Sequence, residues 1–240
     1  MPQLKSAEFA VAGKFAEQKV TAVIPAFNEE KTIGKVIAEA KPFCDDIIVA
    51  LAKKSSDRTA KIAAAMGARV IKDNGGGKGD GMLCAIREIA DGIIVFIDAD
   101  GSHIPSDIPK LVKPIKAGNA DLVIGSRFLG GSEELHGDFS KFLRMFFSMC
   151  ITQIINWRFK KAVGDSQNGF RAITAKAAKN LQLRSKHTEI ETEMVMRCFK
   201  KGYRVFEVPS LELKRTFGKS NISLARHSWR YAWAVFRNLL

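Results

Sequence analysis

Cysteine is scarce in this 240-residue chain. The four present, Cys44, Cys84, Cys150 and Cys198, stand at none of the spacings of a metal finger or a redox pair. That sets aside a disulfide framework and a structural zinc site, and all four are expected to be reduced core residues of a cytosolic protein. No apolar run reaches the ~18 residues of a transmembrane helix. The opening stretch MPQLKSAEFAVAGKF has too short an apolar core for a signal peptide. A soluble or peripheral, cytoplasmic protein is therefore expected. Internal repeats, low-complexity tracts and a domain-separating linker are also missing, so one large domain with at most an appended element is expected. Acid is in deficit: 25 Asp and Glu face 38 Lys and Arg, a formal charge of +13. Such an excess draws a protein to something anionic, whether nucleic acid, a membrane surface or a phosphorylated substrate. Nucleic acid is the weakest of the three, because no basic stripe interleaved with aromatics stands out.

What is present is an alternation of short apolar runs with helical patterns. VTAVIPA (Val20–Ala26), DIIVAL, ARVIK, GIIVFID and ADLVIGS read as five strands. They are apolar on both faces rather than alternating, which implies a parallel sheet covered by helices on either side. Between them, EEKTIGKVIAEAK sets Ile33, Val36, Ile37 and Ala40 on one helical face. DRTAKIAAAMG and GDGMLCAIREIA are two further helices, and DIPKLVKPIKAG is a helix broken by Pro114. The fold class is α/β, doubly wound. The second half reads as a long helix over 140–159, another in EIETEMVMRCFKKG, one or two strands in YRVFEVPSLELK, and an amphipathic tail rich in Arg, His and Trp.

Ligands of such sheets bind beyond the carboxyl ends of the strands, and four such ends carry polar signals. FIDADGSH places Asp98 and Asp100 one residue apart after the fourth strand. Two carboxylates at that spacing suit a hard divalent cation, Mg²⁺ or Mn²⁺; the same D-A-D-G also suits a tight turn. PAFNEE brings Asn28, Glu29 and Glu30 to the end of the first strand, as ligands or as a helix start. NGGGKGDGM sets Lys78 among glycines ahead of a helix, like a phosphate cradle but without P-loop spacing. VIGSRFLGG ends the fifth strand on Arg127, a planar donor suited to phosphate.

Taken together, VIPAFNEEKTIG, GKGDGM, FIDADGSH, IGSRFLGG and DSQNGFRAI resemble family 2 glycosyltransferases of the GT-A (Rossmann-like) fold, and within them the dolichyl-phosphate or polyprenyl-phosphate sugar synthases. The resemblance spans roughly residues 18 to 222. It implies a glycosyltransferase domain over 1–222, leaving 223–240 as a C-terminal amphipathic tail that meets membrane or protein. It implies a donor pocket lined by Pro25, Ala26, Asn28 and Glu29, with Asp98, Ala99 and Asp100 as the D-x-D motif that holds Mg²⁺ or Mn²⁺ on the donor diphosphate. Lys78, Arg215, Lys219 and Ser220 join the donor side. Arg127 would meet phosphate of donor or acceptor and, with Asp98, Asp100 and Asp165, is a catalytic candidate; Arg144, Gln167, Gly169 and Arg171 fall on the acceptor side, with Asp165 beside them. Two departures stand out. VALAKKSSDRTA has Leu51, Ala52, Lys53 and Lys54 where the family carries acids, the first of which commonly contacts the nucleobase. Ser102 stands where relatives often carry Gln beside the metal.

The implied reaction is inverting transfer of a sugar from a nucleoside diphosphate sugar to a polyprenyl phosphate. An ionised phosphate acceptor needs no strong base, whereas a hydroxyl acceptor would call on Asp165 or Glu191. The implied partners are the sugar nucleotide, the lipid phosphate and an anionic membrane surface on the cytoplasmic side, with a homo-oligomer as an open alternative for the long helix. Two other functions compete. A nucleotidyltransferase would carry a glycine-rich signature after the first strand, where PAFNEE stands. A non-catalytic sugar-nucleotide or lipid-phosphate binding subunit is suggested by ALAKK, and the retained aspartates weigh against it.

Overall fold

The structure, a computed structural model, describes residues 18–133, 139–215, 217 and 224–239, without the side chains of 139–144 and 224–228. Along the first half run β1 (Val20–Ala26), α1 (Ile33–Ala40), β2 (Asp46–Leu51), α2 (Thr59–Ala65), β3 (Arg69–Lys72), α3 (Lys78–Glu88), β4 (Ile93–Phe96), α4 (Ile108–Lys116) and β5 (Leu122–Ser126). Then come α5 (Arg127–Gly130), α6 (Phe139–Phe159), β6 (Arg171–Thr174), α7 (Ala175–Asn180), α8 (Ile190–Lys200), β7 (Val205–Pro209) and α9 (Leu224–Leu239).

The seven strands form one sheet in the order β3-β2-β1-β4-β6-β5-β7. Pairing is parallel except around β6, which runs antiparallel to both β4 and β5. Both faces of the sheet are covered. On one, Ala22, Ile24 and Val95 pack with Ile33, Val36 and Ile37 of α1 and Leu111 of α4. On the other, Val23, Ile48, Ile94 and Phe96 pack with Met82 of α3 and Met194 of α8. Successive strand residues therefore serve opposite cores, which is why these runs carry no polar alternation. Each buried Ile or Val contributes about 1.5–3 kcal/mol through burial.

Three expectations need correction. The sequence reading contained no β6. It is four residues long and opens on a charged residue, so it carried no strand signal, yet Arg171 pairs with Phe96 on one side and Ile124 on the other in mid-sheet. Pro114 does not break α4, which continues to Lys116. The ring removes one hydrogen bond near the helix end, while buried Leu111, Val112 and Ile115 hold that turn on the sheet. Of the four free cysteines only Cys198 is buried; Cys44, Cys84 and Cys150 are half-buried.

The C-terminal helix α9 packs against α8 and α6. Val235 joins Ile155 and Met196 in a small core, and Arg237 Nη2 reaches Glu193 Oε1 at 3.1 Å. Its other face leaves Trp229, Trp233 and Phe236 exposed, at i, i+4 and i+7. On α6, Phe146, Phe147, Ile154 and Trp157 are likewise exposed, Trp157 to 82%. Among the described residues no helix is long and apolar enough to cross a membrane.

Candidate active site

A cavity of about 410 Å³ opens at the carboxyl ends of β1, β2, β3 and β4. Pro25 and Ala26 close β1 there, Ala50 and Ala52 mark the end of β2, and Asp98, Ala99 and Asp100 follow β4. The lining at the strand ends is small, so the wall recedes and leaves room for a ligand.

The turn after β4 is built to present the two aspartates. The Asp98 amide donates to His103 Nδ1 at 3.1 Å, which fixes the ring as the Nε2–H tautomer. His103 Nε2 then meets Asn168 Oδ1 at 3.1 Å, and the ring stacks on Phe170 at 5.1 Å between centroids. Asp100 Oδ1 accepts from the Ser102 amide at 3.0 Å and the Ser102 hydroxyl at 2.7 Å. Ser102 thus braces Asp100 directly. D-A-D-G is a tight turn, and both of its carboxylates line the cavity.

Lys78 sits at the first residue of α3, with Nζ 2.6 Å from Asp98 Oδ1 and 2.9 Å from Glu191 Oε1. Burial alone would raise the Asp98 carboxyl; the adjacent ammonium overrides it and holds the group at about 2. In this arrangement Lys78 is a counter-charge to the D-x-D motif rather than an open phosphate cradle. Two glycines make the contact possible. A Cβ on Gly169 would lie 2.8 Å from Lys78 Nζ, and one on Gly79 would lie 2.7 Å from backbone atoms of the 185–187 segment. That segment accepts the Asp80 amide at the Lys186 carbonyl, 3.0 Å, and places His187 and Thr188 on the cavity wall.

The loop after β1 divides its work. Asn28 takes a left-handed conformation (φ 54°), and its Oδ1 accepts from the Ser56 amide at 2.9 Å and the Ser55 hydroxyl at 3.1 Å. It ties two strand-end loops together and does not cap α1, whose N-cap is Thr32. Glu30 is used in the same seam, accepting from Arg58 Nε at 3.1 Å. Glu29 lines the cavity. Burial, and the charge of Asp100, push its carboxyl up, against the Thr32 hydroxyl that bonds it at 3.1 Å.

Beyond β7 the chain runs back over the site. Ser210 Oγ donates to Asp107 Oδ2 at 2.9 Å, the Leu213 amide to the Ser102 carbonyl at 2.8 Å, and Arg215 Nη2 reaches Asp100 Oδ2 at 2.8 Å. Lys219 and Ser220 lie outside the described residues, as does the side chain of Arg144.

The residues expected on the acceptor side are placed differently. Arg127 bonds Asp165 in a bidentate pair, Nε to Oδ2 at 2.7 Å and Nη2 to Oδ1 at 2.9 Å. Asp165 also accepts the amides of Arg127, Gln167 and Asn168. With five donors on a fully buried carboxylate, Asp165 is held ionised and has no capacity left to act as a base. Arg171 is corrected more sharply. It is fully buried, its guanidinium is spent on the carbonyls of Asn168, Ser166 and Glu191, and it faces no ligand space. Gln167 is half-buried with an unpartnered Nε2. Among the described members of this group only Gly169 borders the D-x-D side, next to Lys78 and Asp98.

The donor set suits a small hard cation. Among the described residues no group of three His, Cys, Asp or Glu side chains is arranged to hold a metal. Two carboxylates beside an anion-sized space are, however, what Mg²⁺ or Mn²⁺ takes when substrate phosphates and water supply the rest.

The model of the family described as "Glycosyl transferase family 2" matches residues 21–182, two thirds of the chain. The protein belongs to that family. The uncharacterized protein MJ1222 of Methanocaldococcus jannaschii is 34% identical over 200 residues, 80% of this chain and 81% of that protein. A UDP-N-acetylglucosamine–dolichyl-phosphate N-acetylglucosaminyltransferase of Methanococcus voltae is 29% identical over 217 residues, 81% of this chain and 85% of that enzyme. Among solved structures, glucosyl-3-phosphoglycerate synthase of Mycobacterium tuberculosis, crystallised with Mn²⁺, UDP and phosphoglyceric acid, superposes with a TM-score of 0.73 at 22% identity. It covers 97% of this chain and 82% of its own. The fold of this family 2 glycosyltransferase is therefore GT-A.

Three further side chains, none of them among the expected site residues, line or brace the cavity. His103 lay within the quoted FIDADGSH, but its role needs a turn that folds it back onto the Asp98 amide. Asn168, in DSQNGFRAI, joins His103 to the Gly125 carbonyl across the sheet. Asp73 stands just past β3 and lines the cavity; the strand-end rule that singled out Asp98 would have found it.

Proposed function

We propose that this glycosyltransferase moves a sugar from a nucleoside diphosphate sugar to a polyprenyl-type phosphate, with inversion at the anomeric carbon. The observation that carries the reading is the cavity at the strand ends, with Asp98 and Asp100 on its wall and Lys78 and Arg215 as their counter-charges. The two aspartates would hold Mg²⁺ or Mn²⁺, which when bound neutralises charge developing on the leaving diphosphate. Lys78 keeps Asp98 ionised and ready to bind a cation. Arg215, on the segment that runs back over Asp100, would turn its guanidinium to a donor phosphate once that carboxylate binds a cation. His103 and Ser102 hold the turn so that neither aspartate must reorganise.

The acceptor class rests on what the site withholds. Asp165 is saturated, and Glu191 has one oxygen on Lys78 and the other buried without a partner. Neither serves well as a general base, which suits an acceptor phosphate already ionised near neutral pH. The dolichyl-phosphate acceptor named for the Methanococcus voltae relative supports the same choice. The exposed aromatic faces of α6 and α9, with the +13 charge, would seat the protein on the cytoplasmic face of an anionic membrane where such lipids reside.

The test is thermal stability against UDP, GDP and their sugar conjugates, with and without Mn²⁺, followed by transfer to a short polyprenyl phosphate. A Mn²⁺-dependent rise for one nucleotide, absent in Asp100→Ala, is the expected result. An Asp100→Ala protein that still transfers sugar removes the assigned role.

A further inference from the structure

Asp73 and Lys53 both line the cavity, at the end opposite the D-x-D turn. The sheet order sets the distance. β3 lies three strands from β4, about 14 Å at ~4.8 Å per strand. If the diphosphate sits at Asp98 and Asp100, that gap takes the ribose and leaves the base against the ends of β2 and β3.

The two side chains are not equivalent to solvated surface charges. Asp73 is buried, and its Oδ1 accepts the Lys53 amide at 2.7 Å and the Gly75 amide at 2.8 Å. Those bonds fix the plane of the carboxylate, and no described residue donates to Oδ2. Gly75, at φ 91°, makes the turn that brings its amide inward. The Lys53 stem crosses over the same glycine, with Cδ 3.8 Å from where a Cβ would stand. Lys53 is exposed and makes no ion pair among the described residues. A fixed acceptor and a mobile donor thus stand side by side on the wall.

We propose that Asp73 and Lys53 are the base-reading pair of the donor cavity. They select a nucleotide whose base presents a ring N–H beside a carbonyl, the edge shared by uracil and guanine. Asp73 Oδ2 accepts from the ring N–H, and the Lys53 ammonium donates to the adjacent carbonyl. Cytosine and adenine offer an unprotonated ring nitrogen beside an amino group, so the carboxylate would meet a lone pair and the ammonium a donor. The acid missing after β2 is thereby replaced from β3, with a lysine in its former place. This inference rests on the donor reading above.

Asp73→Asn is the direct test, because the amide oxygen can still accept both backbone amides while Nδ2 turns a donor toward the cavity. Calorimetric titration with UDP, GDP, CDP and ADP in Mn²⁺ is run beside inorganic diphosphate, which has no base. The wild-type protein is expected to bind UDP or GDP at least about 10-fold tighter than CDP and ADP. In Asp73→Asn that preference falls about 10- to 100-fold and moves toward the amino-bearing partner, cytosine or adenine, with diphosphate affinity unchanged. Lys53→Met, at an exposed side chain with no fold to disturb, should weaken the same nucleotide about 5-fold and carries the test if Asp73→Asn is unstable. Unchanged base discrimination in both variants, with diphosphate still binding, overturns the assignment and leaves the donor reading standing. Failure of the wild-type protein to bind any nucleotide or diphosphate overturns both.

Discussion

Two cation–carboxylate pairs, one at the end of β4 and one at the end of β5, behave as opposites. Lys78 and Asp98 are 2.6 Å apart with 23% and 28% of their side chains exposed; Arg127 and Asp165 are 2.7 Å apart with 13% and 0%. The first pair borders the cavity and draws on few other donors. The second is saturated by backbone amides, and burial, which would raise the Asp165 carboxyl, is overridden by Arg127. An open pair can trade its partner for a ligand. A closed pair is a brace, holding the 165–168 segment that in turn positions Asn168 against His103. The same charge pattern in sequence therefore borders a cavity in one place and braces the fold in the other.

The comparison breaks most visibly at the brace. Asp165→Ala leaves the Arg127 guanidinium buried without its partner and should cost about 3–5 kcal/mol of stability, read as a drop in the urea midpoint. The open pair should respond in the other currency. Asp98→Asn is expected to lower sugar transfer about 100- to 1000-fold while the urea midpoint barely moves. A large loss of stability in Asp98→Asn with transfer intact would reverse the two assignments.

Acid sharpens the same contrast. The Asp165 carboxyl is lowered in the folded state, so its stabilising contribution is fully present above the unfolded value near 4 and is lost as pH falls through and below it. The gap in stability between wild type and Asp165→Asn should thus be wide at pH 7 and shrink progressively as pH falls below about 4. A gap that stays constant with pH would show that Arg127 does not depress this group. The smallest expected effect lies on the outer face of α9. Replacing Trp229, Trp233 and Phe236 with Ser should weaken flotation with anionic vesicles about 10-fold or more, without a change in nucleotide binding. Undiminished flotation would move the contact elsewhere on the chain.

Much of the cavity's lining was legible because its residues are local. A strand ends, a turn follows, and the polar residues of that turn must lie where ligands bind: PAFNEE, GKGDGM and FIDADGSH all satisfied that rule. The first five strands and the helices between them followed from continuous apolar runs, because burial on both faces removes alternation. The acceptor side failed for a different reason. Arg127 and Arg171 each look like a phosphate ligand in sequence, and what separates them is which neighbours fill their five donors.

The sequence by itself determined the α/β class, the order of the strands through β5 and the set of charges available at their ends. These depend on periodicity and on turn chemistry, both of which act over a few residues. Only the tertiary structure decided that β6 enters antiparallel between β4 and β5, that Arg171 is spent on carbonyls, and that Asp73 shares a cavity with Asp98. The pairing of β6 and the shared cavity are set by strand order, and the Arg171 bonds by the way its loop folds back under it. A strand-end position marks Asp73 as a candidate but does not say which carboxylate shares its cavity.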